Sequence, residues 1–171
     1  MRPVVVLGLM GAGKSTVATA LAAAIGRRLR DSDVDIEAAT GRTAAAIARD
    51  SVEDLHRLEA DQLQGSLRDS ATVVAAAASV VDVAQCREAM REALVVWLDA
   101  PVDVLAARFH SGPHRPVYGA DVAAVLKEQL ARRGPLFEQV ADLRVDAARP
   151  VEQIVRDVVA AVDARAQGGA R

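Results

Sequence analysis

Eight residues carry the strongest chemical signal in the chain. Gly8-Leu9-Met10-Gly11-Ala12-Gly13-Lys14-Ser15 satisfies G-x-x-x-x-G-K-[ST] at every fixed position. In such a loop glycines let the backbone curl until its N–H groups point inward at phosphate oxygens. A following helix adds its partial positive charge. Lys14 would bridge the β- and γ-phosphates, and the Ser15 hydroxyl would ligate Mg²⁺. Gly11, Ala12, Gly13, Lys14, Ser15 and Thr16 are therefore the expected nucleotide contacts. Other groups are weaker alone. Asp31-Ser32-Asp33 and Arg115-Pro116 would each read as a cap or a solvated loop charge. His110 and His114 flank Gly112-Pro113 and do not share a helix face, so no metal pair is expected. Cys86 reads as a packing residue and Asp99, before Pro101, as a helix cap.

The elements that must position the loop are legible from periodicity. Val4-Val5-Val6-Leu7 is a short β-branched apolar run, the pattern of a strand buried on both faces. Thr72 to Ala75 and Leu94 to Leu98 repeat it. Ser15 to Ile25, Thr43 to Leu67, Val83 to Arg91 and Val102 to Phe109 have helical spacing, and a last helix is expected from Val151 to Ala164. Leu29 to Asp31 and Leu143 to Asp146 read as short strands ending at a carboxylate. Strands alternating with helices imply an α/β fold built on a parallel sheet. His110 to Gly119, with Gly112, Pro113, Pro116 and Gly119, reads as an irregular excursion between two helices.

Composition excludes several classes. The chain has 171 residues, 51% hydrophobic but only 2% aromatic, so no platform of stacked rings for single-stranded nucleic acid is available. A formal net charge of −2 supplies no basic field for a phosphate polymer. A single cysteine forms no internal disulfide, and no apolar run approaches the roughly 18 residues of a membrane span. A cytoplasmic protein bound to neither nucleic acid nor membrane, and monomeric, is expected. Among phosphate-loop proteins, a GTPase needs Asn-Lys-x-Asp and none is present. A motor-type ATPase needs an acid after the strand that here ends in alanines.

From Val4 to Val158 the chain resembles the shikimate kinase family. After the phosphate loop come Asp31-x-Asp33 with Ile36-Glu37 and Thr40-Gly41-Arg42-Thr43. Arg115-Pro116 is similar to the Arg-Pro of the family's lid. Arg132-Arg133-Gly134-Pro135-Leu136-Phe137 followed by Val140-Ala141-Asp142 is similar to its R-x-P-L-Y…VAD run. The resemblance implies a three-layer P-loop kinase sandwich, with a five-stranded parallel sheet and helices on both faces. It implies one domain over 1–165 with a mobile lid at about 110–120 and a flexible tail at 166–171. It further implies ATP- and Mg²⁺-dependent phosphorylation of a hydroxyl on a small polar acid. Asp31 would hold Mg²⁺ through water, Asp33 would accept a hydrogen bond from the acceptor hydroxyl, positioning it or taking its proton, and Arg115 would meet charge on the transferring group. Arg108 would pack against adenine, and Arg133 would bind the acceptor's carboxylate.

Two departures fall on the acceptor side. Leu55-His56-Arg57-Leu58-Glu59 keeps the family's glutamate as Glu59 but has His56 in place of an arginine. A histidine is at most partly charged near neutrality and offers no two-pronged donor set. Ala76-Ala77-Ala78 stands where the family has three glycines, and any positive φ there would be strained. Shikimate is the best single acceptor on these motifs. A kinase for gluconate or another polyol or cyclitol, and a nucleotide-binding protein with little kinase activity, are the alternatives.

Overall fold

The computed structural model describes residues 1–109 and 121–168. The strands are β1 (Val4–Leu7), β2 (Arg28–Asp31), β3 (Thr72–Ala75), β4 (Leu94–Asp99) and β5 (Leu143–Asp146), all parallel in the order β2-β3-β1-β4-β5. Helices cover both faces, as expected: α1 (Lys14–Ala24), α2 (Ser32–Thr40), α3 (Ala44–Asp50), α4 (Val52–Ser66), α5 (Ala84–Ala89), α6 (Val102–Phe109), α7 (Val122–Val140) and α8 (Val151–Gly168). The motifs at 110–120, with His110, His114 and Arg115, lie outside the described residues.

Burial follows position in the sheet. β1 and β3 are buried at every residue, while β2 at one edge buries only Asp31. That is why β1 and β3 read as continuous apolar runs and β2 as Arg-Leu-Arg-Asp. The core is built from Val, Leu and Ala around Leu7, Leu21, Leu63, Leu98 and Leu126. The scattered aromatics are partly gathered: the Trp97 and Phe137 rings lie 5.6 Å apart, and the Arg144 guanidinium sits 4.5 Å above Trp97. Arg144 also donates from Nε and Nη2 to Asp99 at 3.1 and 2.7 Å. Asp99 is thus a cross-strand partner, not the expected helix cap. Cys86 packs as expected, fully buried with Sγ 3.9 Å from the Ala60 carbonyl.

Four helical expectations change. The stretch read as one helix from Thr43 to Leu67 is two, because Ser51 takes an extended conformation and its hydroxyl accepts from the Asp54 N–H at 3.1 Å. Ser51-Val52-Glu53-Asp54 is a capping sequence that starts α4 and ends α3. The chain beyond Asp31 turns into α2, capped by the Asp31 carboxylate and ended by Gly41, where a strand terminus alone was expected. The Val83–Arg91 stretch shortens to α5 between two 3₁₀ turns, Ala78–Asp82 and Met90–Glu92. At the far end α8 continues to Gly168, past the expected stop near Ala164.

The Ser51 cap yields a stability test. Ser51→Ala should lower unfolding free energy by about 1 kcal/mol, read as a shifted urea midpoint at unchanged m-value; an unchanged midpoint would contradict the cap.

Candidate active site

Parallel strands deliver their carboxyl ends to one edge of the sheet, and the site forms there. β1 runs into the phosphate loop, and the loop's geometry demands glycine. Gly11 has φ +82°, and a Cβ on it would collide with the Leu105 carbonyl of α6. Gly13, at φ +87°, is the left-handed cap from which α1 starts. No acidic residue occupies the first turn of α1, so its positive end is uncompensated and faces the site with exposed Ser15 and Thr16. Lys14 Nζ donates to the Leu9 carbonyl at 3.3 Å, which holds the ammonium across the loop. This cradle suits a chain of phosphates.

Asp31 and Asp33 arrive from the neighbouring edge. Asp31 pairs in register with Ala75, so the end of β2 lies beside the end of β3. Its Oδ1 accepts from the Asp33 and Val34 N–H groups at 3.1 and 3.5 Å. That cap turns the chain so that Asp33 is exposed at the start of α2. Between the two acids the Ser32 hydroxyl is buried with no hydrogen-bond partner among the described residues. Ser15, Ser32 and Asp31 are oxygen donors only, the donor type Mg²⁺ requires. Among the described residues no three His, Cys, Asp or Glu cluster as a protein-only metal site. A small number of protein oxygens beside a phosphate cradle is compatible with Mg²⁺ that is held largely by phosphates and water.

The third wall comes from α4, the loop after β3, and α7. One cavity of about 200 Å³ is lined by Gly11, Gly13, Lys14, Ser15 and Thr16, by Asp31, Ser32 and Asp33, and by Ala76, Ala77 and Ala78. His56, Glu59, Ser79, Gln129 and Arg133 line it as well. Glu59 is buried and accepts a hydrogen bond from the Ser79 hydroxyl. Burial pushes its pKa up to about 7; the Ser79 bond opposes this, the Asp33 charge adds to it, and Arg133 and Lys14 oppose it. Phosphate end and acceptor end are thus close enough to share a field. His56 is held below the ordinary histidine value, first by burial and then by Arg133 and Arg132, with Asp82 opposing. Both effects disfavour the imidazolium, so His56 is a poor stand-in for the missing arginine's charge.

Arg133 is 4% exposed and donates to the Asp82 carboxylate. The three alanines adopt no strained backbone: among the described residues every positive φ belongs to glycine, and Ala77 has φ −63°. The expected strain is therefore absent, and the alanines act only through the volume of their methyl groups. Two expected contacts lie away from the cavity wall. Ala12 is buried within the loop, its N–H donating to the Leu9 carbonyl at 3.2 Å, and Arg108 donates from Nη1 to the Ala147 carbonyl at 2.8 Å. Reasoning from sequence missed Ser32, Ser79 and Gln129 as members of the site, and Asp82 as the partner of Arg133 behind it. Gln129 precedes Arg133 by four positions, one helical turn, and that spacing was the available signal.

With this geometry in place the comparisons with known proteins are decisive. The shikimate kinase family model matches residues 10–163. A shikimate kinase from Corynebacterium glutamicum is 39% identical over 163 residues, covering 94% of each chain. The chain belongs to the shikimate kinase family. A solved shikimate kinase from Acinetobacter baumannii, in complex with shikimate, superposes with TM-score 0.89 at 26% identity over 96% of this chain and 94% of that one. A gluconokinase from Sinorhizobium meliloti, one of the kinases weighed as an alternative, superposes less well, with TM-score 0.64 at 25% identity over 98% and 94%. Membership makes the chain a phosphotransferase that draws on ATP and has an alcohol group as acceptor, as expected from the motifs. No helix among the described residues is long and apolar enough to cross a membrane.

Burial of Glu59 gives this kinase a pH signature. Its folded pKa lies above the ordinary glutamate value, so its contribution to stability is fully present below about pH 4.5 and is lost as pH rises through about 7. The loss amounts to at most about 3 kcal/mol. Glu59→Gln removes the titration. The stability of the native protein relative to this variant should fall between pH 5 and pH 8 in chemical denaturation, and a constant difference would contradict the burial argument.

Proposed function

We propose that the chain transfers the γ-phosphate of ATP, in the presence of Mg²⁺, to a hydroxyl of a small hydroxy acid, with shikimate the first acceptor to test. The observation that carries this reading is one cavity lined together by Lys14 and the start of α1, by Asp33 and by Arg133. Phosphoryl transfer needs positioning and electrostatic stabilisation more than covalent chemistry, and the cavity provides for both. The loop amides and Lys14 bind and orient the phosphates. Asp33, exposed at the rim of α2, accepts the hydroxyl proton as the oxygen attacks. Arg133 takes the acceptor's carboxylate from α7, and His56 offers one imidazole beside it.

Bound Mg²⁺ would neutralise charge on the phosphate oxygens, with Ser15 as ligand and Asp31 reached through water. Arg115 is assigned to the transferring group, and Arg108 to the adenine, on motif alone. Segment 110–120 is assigned by its motif to the lid that keeps water from competing as acceptor. The chain acts as one domain, and the tail expected from 166 is helical as far as Gly168. A monomer is proposed as the working unit. A lone buried thiol suits the reducing cytoplasm.

The test is ADP release from ATP and Mg²⁺ over shikimate, quinate and gluconate. Release with shikimate is expected, whereas ATP binding without any acceptor-dependent release would overturn the proposal. Lys14→Ala should abolish transfer, and retained turnover would contradict the loop's role. His56→Arg should lower the KM for shikimate about tenfold, the worth of one charge-assisted hydrogen bond of roughly 1.5 kcal/mol. An unchanged KM would remove His56 from the acceptor site.

A further inference from the structure

Asp82 belongs to none of the motifs and does not line the cavity, yet it makes the described side-chain hydrogen bonds of the arginine that does. It ends the 3₁₀ turn Ala78–Asp82, which continues from the alanine loop at the end of β3. Arg133 Nε donates to its Oδ1 and Oδ2 at 3.2 and 3.1 Å, and Arg133 Nη2 donates to Oδ2 at 2.7 Å. The Arg133 side chain is 5% exposed and that of Asp82 31%. Arg132 Nη2 approaches the same carboxylate at 3.2 Å from the outer side. Asp82 therefore ties the loop after β3 to α7 through a buried, side-on bond.

A guanidinium presents its five N–H groups in a rigid plane, with one bidentate edge at Nε and an Nη and another across the two Nη atoms. With the Nε edge held by Asp82, the edge left to a ligand is the one across Nη1 and Nη2. We infer that Asp82 is a positioning residue for the acceptor: it sets the plane of Arg133 and the edge that Arg133 offers to the acceptor's carboxylate. It acts through Arg133 and does not touch the acceptor. The inference rests on the proposed role of Arg133 in acceptor binding. The other charged or titratable groups around the pair are His56 and Glu59 from α4 and Arg132 from α7, and none of them holds Arg133 at hydrogen-bond distance among the described residues.

The test combines kinetics with an observation that needs no acceptor. With shikimate as probe, Asp82→Ala should raise the KM for shikimate at least tenfold, while kcat changes less than threefold and the KM for ATP is unchanged. Asp82→Asn keeps an oxygen for the Nε edge and should restore the KM to within about threefold of the native value. In an Arg133→Ala background Asp82→Ala should have no further effect. An unchanged KM in Asp82→Ala, an equal loss in Asp82→Asn, or a full added loss in the Arg133→Ala background would each overturn the inference. In the protein without ligands, the Arg133 Nε–H proton should exchange slowly in the native and Asp82→Asn proteins and rapidly in Asp82→Ala. Equal exchange in all three would also overturn it. Should the native protein not phosphorylate shikimate, the proposed acceptor fails, and the exchange measurement still decides whether Asp82 positions Arg133. Asp82→Ser, too short to reach the Nε edge, replaces the alanine variant if that does not fold.

Discussion

A parallel strand buried on both faces cannot turn back on itself, so β1 must leave the sheet at its carboxyl end and continue into a helix on one face. The phosphate loop is that exit. Its curvature puts Gly11 against the Leu105 carbonyl of α6, where no side chain fits, and starts α1 from a left-handed Gly13. The first amides of α1 have no helical partners of their own, which makes the exit an anion site before any side chain is considered. Because β1 lies between β3 and β4, the alanine loop follows the adjacent strand end, and Asp31 comes from the strand beyond it. The acid pair and the acceptor wall are where they are because β1 is central and parallel.

Charge at the acceptor end is balanced with few groups. Arg133 is buried against Asp82, Glu59 is buried against Ser79, and His56 sits between Arg133, Arg132 and Asp82. Burial disfavours the charged form of both His56 and Glu59, so near neutrality the wall depends on one arginine for anion binding. An arginine can serve alone, since its planar fork binds a carboxylate by two bonds, provided the plane is held. This is the physical reason a residue outside the cavity bears on what the cavity binds.

The motifs that carry the phosphate chemistry were readable because each is local. Gly8 to Ser15 is contiguous, and its demand for positive φ and close backbone approach appears directly as glycine. The buried strands β1, β3 and β4 were equally plain, since burial on both faces leaves only apolar residues. The edge strands were read from the carboxylates that end them. What escaped depended on hydrogen bonds made to distant or irregular backbone. The split at Ser51 follows from one hydroxyl competing with the helix, and α2 from the Asp31 carboxylate capping the turn after β2.

Sequence alone determined the family, the nucleotide cradle and the identity of the divergent positions His56 and Ala76 to Ala78, because those rest on residue type and spacing along the chain. Tertiary structure decided what the divergences mean. It showed the alanines at ordinary backbone angles, His56 with its charged form disfavoured by burial beside two arginines, and Arg133 held by Asp82 across 51 positions of sequence. Burial and long-range pairing are properties of packed neighbours from different elements, and no local pattern records them.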